Sequence, residues 1–200
     1  MPFIGGVYYF KHIRNNKLQL SFFFFSILII LTQVINTFIT YTNGYNIWFF
    51  EISLIIEFGY FYWFFNKWNK FRNWFRILSS IIFISLLTLF FLRYFVYHTD
   101  EEVNYSFPIM IIYFVVQSSI MIISTFEKSD TEFNRTYIFW ISFARLFYFM
   151  AILPFNIFAF IGNHLENEVK EVYNMADLSV NYVANIILNI LFMYSFKCRN

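Results

Sequence analysis

The chain has 200 residues, of which 60% are hydrophobic and 13% are charged, and its net charge at neutral pH is +2. Soluble domains carry about 25% charged residues, so this composition excludes an ordinary soluble domain and predicts an integral membrane protein in contact with the lipid bilayer. The small net charge gives no reason to expect a nucleic acid partner. Because Cys198 is the single cysteine, an intrachain disulfide and a thiolate metal cluster are also excluded.

Six long apolar runs follow one another along the chain, after a cytosolic N-terminal segment at 1–17. Each run reaches the roughly 18 residues that distinguish a membrane span from a buried core helix. A span is helical because lipid offers the backbone no hydrogen-bond partner. We therefore predict an all-α polytopic membrane protein with about six transmembrane helices. The predicted transmembrane domain is 18–196, with spans at 18–40, 45–65, 77–97, 105–126, 136–162 and 178–196 and a cytosolic tail at 197–200.

The connections between the runs predict the orientation. Cytosolic loops of membrane proteins collect Lys and Arg. Eleven of the fourteen lie in the N-terminal segment, in the tail and in the connections after the second and fourth runs. On the other side Lys170 stands alone, in an acidic connection at 163–177 that is long enough for one short surface helix. We therefore expect a multi-pass membrane protein with both termini in the cytosol.

Four ionisable residues lie inside the predicted spans, where each needs a partner or a water-lined space. A helix rises about 1.5 Å per residue, which converts sequence position into depth. Glu57 and Arg145 then lie at nearly the same depth, close to the middle of a hydrocarbon core about 30 Å thick. By the same arithmetic Glu51 and Arg93 share a level nearer the outer surface. We predict two buried ion pairs, Glu57–Arg145 and Glu51–Arg93.

Side-chain amides accompany both pairs. Gln117 and Asn189 fall near the depth of the first pair, and Gln33 and Asn185 near that of the second. Because Asn181, Asn185 and Asn189 recur every four residues, they share one face of the last helix. The favoured interpretation is that these groups hold the helices together. The alternative is a polar path or a ligand pocket.

No motif for catalysis, cofactor binding or metal binding is present. The three histidines, His12, His98 and His164, lie outside the predicted spans and are widely separated. The sequence has no phosphate-binding loop, no serine-hydrolase motif and no zinc-protease motif. We therefore expect no cofactor, no metal and no enzymatic activity.

Part of the sequence resembles small polytopic membrane proteins of Bacteroidetes. The stretches that carry the resemblance are YNIWFFEISLIIEFGYFYWFF at 45–65, FWISFARLFYF at 139–149 and NYVANIILNILFMYSFKC at 181–198. Length, helix number and composition are also similar to those of the small membrane accessory protein found beside type VI-B CRISPR effectors. The resemblance implies a location in the bacterial inner membrane and a role beside a partner, but it carries no functional residue over to this chain.

The resulting hypothesis is a non-enzymatic accessory or regulatory membrane protein, acting with a protein partner or as a homo-oligomer in a bacterial defence or signalling system. One alternative is a channel or transporter that uses the polar layer of Glu57, Arg145, Gln117 and Asn189. Another is a subunit of a respiratory membrane complex, suggested by the 32 phenylalanines.

Overall fold

Helices make up almost all of the structure, a computed structural model that describes residues 6–43, 47–69, 73–92, 95, 106–128, 136–161 and 167–198. Within these ranges there is no strand, which confirms the all-α fold class. A single turn, Phe10–Ile13, precedes the long helices. These are α1 (Lys17–Asn43), α2 (Ile47–Asn69), α3 (Asn73–Phe91), α4 (Ser106–Lys128), α5 (Tyr137–Ile161) and α6 (Asn167–Ser195).

Four of the described helices contain a segment long and apolar enough to cross a membrane. These segments are Trp74–Phe91, Pro108–Glu127, Tyr137–Phe155 and Met175–Ser195. In α1 the apolar segment is shorter, Lys17–Thr32. The structure thus agrees with a polytopic helical membrane protein, whereas the count of six crossings, the predicted span limits and the cytosolic termini stay predictions.

The last helix begins much earlier than the hydrophobic run that it contains. The predicted span starts at 178 after a connection long enough for one short helix, and in the structure α6 runs without a break from Asn167 to Ser195. No Gly or Pro interrupts this range, and Glu, Lys, Ala and Met in its polar half are good helix formers. With no helix breaker between them, the polar and apolar halves form one helix.

The start of α1 is fixed by a side-chain cap. The Asn16 side-chain oxygen accepts hydrogen bonds from the backbone N–H groups of Leu18 and Gln19, both at 3.1 Å. Asn is among the preferred residues at this position because it satisfies N–H groups that have no partner within the helix. The cap therefore sets where α1 begins.

The chain divides into two compact units, one formed by Met1–Gln19 with Phe107–Asn200 and the other by Leu20–Ser106. In the first unit α5 packs against α6. Ring centroids of Trp140 and Tyr194 lie 4.7 Å apart, and those of Phe155 and Tyr173 lie 5.7 Å apart. Contacts between the start of one helix and the end of the other show that α5 and α6 are antiparallel.

The second unit has an aromatic core between α1 and α2. Phe25 stacks on Tyr60 with ring centroids 3.7 Å apart, and the Tyr60 hydroxyl lies 3.2 Å from that of Ser21. Phe61 and Phe64 are almost completely buried beside them. Because apolar surface gains little by leaving lipid for another helix, close packing of such rings is a principal source of helix association in a membrane.

Candidate functional site: the polar layer of the first unit

Three residues of the polar layer belong to the first unit: Arg145, Gln117 and Asn189. Arg145 lies on α5 and is buried against α4. Its side chain is 1% exposed, and its guanidinium carbon lies 3.8 Å from the centroid of the Phe114 ring. The Phe149 centroid is 5.3 Å from the same carbon, and the two phenylalanines stack on each other at 4.8 Å. A desolvated cation over an aromatic face gains about 2 kcal/mol. The two rings therefore help to stabilise this cation in the interior.

A buried glutamine lies one turn from Phe114 along α4. The Gln117 side-chain nitrogen donates a hydrogen bond to the Tyr113 hydroxyl at 3.0 Å. Its side-chain oxygen is buried and accepts no hydrogen bond from the described residues, and the buried hydroxyls of Ser118 and Ser142 likewise make none there. Ser142 precedes Arg145 by one turn of α5. Buried polar atoms with unused hydrogen-bonding capacity are costly. Helix packing alone gives no reason for three such oxygens in this region.

The three asparagines of α6 form a ladder along that helix. The Asn185 amide nitrogen donates to the Asn181 backbone oxygen at 3.0 Å and to the Asn181 side-chain oxygen at 2.8 Å. Asn189 donates to the Asn185 backbone oxygen at 2.7 Å. A bond from α5 joins the ladder, because the Tyr148 hydroxyl donates to the Asn181 side-chain oxygen at 3.2 Å. All three amides are half-buried, so one edge of the ladder is accessible.

Neither predicted ion pair lies within the described part of a single unit. Glu57 is half-buried on α2 in the second unit, and Arg145 belongs to the first, so the Glu57–Arg145 pair stays a prediction. Glu51 lies on α2, but its side chain falls outside what the structure describes, and Arg93 lies outside the described residues altogether. The Gln33 side chain is likewise outside the described part.

Several contacts of the polar layer were missed from the sequence. The spacing of Arg145 and Phe149, four residues apart on one helix, is a readable signal for a cation–ring contact. Phe114 gave no such signal because it comes from a different helix. Gln19 was also missed, although an amide near the start of an apolar run needs a partner.

The most exposed of the four apolar segments is also the least apolar one. In Met175–Ser195 only 6% of the residues are buried, compared with 44% in Pro108–Glu127 and 39% in Tyr137–Phe155. Exposed side chains recur at intervals of four along α6, a set that we call the outer stripe: Tyr182, Ile186, Ile190 and Tyr194. Each of the three ladder asparagines immediately precedes one of the first three members, so the amides flank the stripe.

Comparison with protein-family models, with curated proteins and with solved structures gives no match. Among the described residues, no group of three or more His, Cys, Asp or Glu side chains lies together in a way that could hold a metal ion. The polar layer and the outer stripe are therefore the candidate functional features of the described residues.

Proposed function

We propose that the chain is a non-enzymatic accessory protein of the bacterial inner membrane, which acts through a partner helix bound to the outer stripe of α6. The observation that carries this proposal concerns α6. Its membrane segment is the least apolar of the four and also has the smallest share of buried residues. Polar side chains facing lipid are costly, and a second helix would cover them.

The outer stripe has the form of a helix-packing surface. Side chains four residues apart make a ridge that fits the groove of another helix. In membranes, association depends on such packing and on hydrogen bonds between helices, which average about 0.6 kcal/mol each. The half-buried amides of Asn185 and Asn189 flank the ridge and can supply those bonds. The resemblance to accessory proteins of defence loci favours an effector or signalling protein as the partner.

Photo-crosslinking in native membranes tests the partner. A photoreactive residue at Ile186, which is 56% exposed, is compared with one at Ile81 on α3, which is 55% exposed. The two sites match in residue type and exposure, but only Ile186 lies on the outer stripe. We expect a protein adduct from Ile186 and lipid adducts alone from Ile81, and the adduct mass distinguishes a second copy from another protein. Equal protein adducts from both sites, or none from Ile186, would contradict the proposal.

The proposed topology has six crossings with both termini in the cytosol. A cysteine replacing Arg76 should be protected from an impermeant thiol reagent in intact cells, whereas one replacing Asp100 should react, both in a Cys198→Ser background. The reverse pattern would show that the chain is inverted or that a crossing has been miscounted.

A channel or transporter is the second candidate, favoured by the buried oxygens of Gln117, Ser118 and Ser142. It predicts ion or solute flux in liposomes that is lost in Gln117→Leu and in Glu57→Gln. A partner adduct at Ile186 together with no flux above empty liposomes would favour the accessory role.

A further inference from the structure

A buried side chain joins the start of α1 to the end of α6. The Gln19 amide nitrogen donates to the backbone oxygen of Ser195 at 2.9 Å and to that of Cys198 at 3.3 Å. Gln19 is 4% exposed. The last carbonyls of a helix have no partner within it. The Gln19 amide supplies a donor to both oxygens, and the Ser195 oxygen also accepts from the Cys198 N–H at 3.3 Å. This contact, which we call the terminal tie, brings the start of α1 beside the end of α6.

The terminal tie gathers cations from both ends of the chain. Arg14 and Lys17 precede Gln19, and Lys197 lies between the two residues whose carbonyls Gln19 binds. All three side chains are exposed, and we call them the terminal basic patch. The Lys197 ammonium lies 5.6 Å from the centroid of the Tyr194 ring.

Exposed aromatic side chains accompany the patch. Tyr8 is 80% exposed, and Phe10 is also exposed. Phe10 begins the short helix that Arg14 caps, and the Arg14 N–H donates to the Phe10 oxygen at 3.0 Å. Tyr194 contacts Trp140 at the start of α5. Aromatic rings of this kind settle at the level of the lipid headgroups.

We propose that the terminal basic patch binds the phosphate headgroup of anionic phospholipid in the adjoining leaflet, with Tyr8 and Phe10 at the interface. Exposed cations beside interfacial rings complement an anionic lipid surface, and Arg and Lys both bind phosphate. The positive-inside tendency accounts for basic residues on this side of the membrane. It does not account for the convergence of two distant segments through the terminal tie. The inference does not require the proposed partner helix, because the patch cations, Tyr8 and Phe10 lie outside the outer stripe.

A lipid titration with matched variants tests the site. The full-length protein in mild detergent is titrated with fluorescent phosphatidylglycerol, and then with phosphatidylcholine carrying the same label. Arg14→Gln/Lys197→Gln removes two patch cations. Lys67→Gln/Arg76→Gln removes the same charge from exposed positions of the second unit. A cation that contacts an anionic headgroup contributes a factor of about five, and only the patch cations contact the bound lipid, so we expect the patch variant to bind phosphatidylglycerol about twenty-five-fold more weakly.

We expect the control variant to change the affinity for phosphatidylglycerol less than threefold, and neither variant to change the weak binding of phosphatidylcholine. Equal losses in both variants would show a general charge effect and overturn the proposal. The same holds for an unchanged affinity in the patch variant. If the patch variant instead loses binding of a labelled single-stranded RNA while it keeps the lipid, the patch is a nucleic acid site and the lipid proposal is wrong.

A third variant separates geometry from charge. Gln19→Leu keeps every cation but removes the terminal tie. We expect its affinity for phosphatidylglycerol to fall at least fivefold while its helical circular dichroism is retained. A folded Gln19→Leu protein with the affinity of the unmodified chain would show that convergence of the two segments is not needed.

Discussion

The contact between Arg145 and Phe114 gives a quantitative prediction about stability. In Phe114→Leu the guanidinium loses the ring at 3.8 Å, and Phe149 loses its stacking partner at 4.8 Å. A desolvated cation–ring contact contributes about 2 kcal/mol and a stacked pair about 1 kcal/mol. We expect Phe114→Leu to lower the free energy of unfolding by about 3 kcal/mol, before any cost of the smaller side chain. Phe143→Leu is the control, because Phe143 stacks on Phe139 but is 39% exposed.

A double-mutant cycle isolates the cation–ring contact from the packing effects. Phe114→Leu, Arg145→Met and the double variant are unfolded in mixed detergent micelles by added dodecyl sulfate, and the loss of tertiary signal is followed by near-ultraviolet circular dichroism. Residues in direct contact show a coupling of about 0.5–3 kcal/mol, and here we expect about 2 kcal/mol. A coupling within about 0.3 kcal/mol of zero would refute the idea that the ring stabilises the cation.

Three further predictions concern other contacts. Glu57→Arg and Arg145→Glu should each reduce the yield of protein in membranes, and the double reversal should restore it; failure of that rescue counts against the predicted ion pair. Gln19→Ala should lower the free energy of unfolding by about 1 kcal/mol, because the buried Ser195 carbonyl loses one of its two donors and keeps the Cys198 N–H, and an unchanged dodecyl sulfate midpoint would contradict this. Burial raises the pKa of Cys198 from its ordinary value of 9.0 to about 11, against the opposing effect of the neighbouring ammonium. Alkylation by iodoacetamide should therefore be slower at pH 8 than in the unfolded chain and should rise until about pH 11; a midpoint near pH 9 in the folded protein would show that the thiol is not buried.

The helices could be located from the sequence because their signal is local. A long apolar run with a polar break at each end predicts a helix without any knowledge of its neighbours. The continuity of α6 could not be predicted in this way, because its polar half has helix propensity but no hydrophobic run. The terminal cap at Asn16 is also local and could have been read from residue type.

The contacts of the polar layer depend on the direction in which each side chain points around its helix, as well as on its depth in the membrane. Counting the rise per residue predicted that Gln117 lies near the level of Arg145, and the structure places Phe114, one turn from Gln117, against the guanidinium. Depth alone does not say which way a side chain points around its helix. For that reason matched depth could suggest Glu57 as a partner for Arg145 but could not reveal the ring that covers the cation.

The hydrogen bond between Gln19 and Ser195 joins residues 176 positions apart in the chain. During synthesis this bond cannot form until α6 has been inserted. The first unit is therefore complete only after its two parts, Met1–Gln19 and Phe107–Asn200, have come together. The other unit is Leu20–Ser106, which follows Gln19 in the chain, and it can pack before synthesis is complete. The connectivity of the chain therefore determines the order in which the two units assemble. A chain that stops before α6 would lack the Ser195 and Cys198 oxygens to which the Gln19 amide donates.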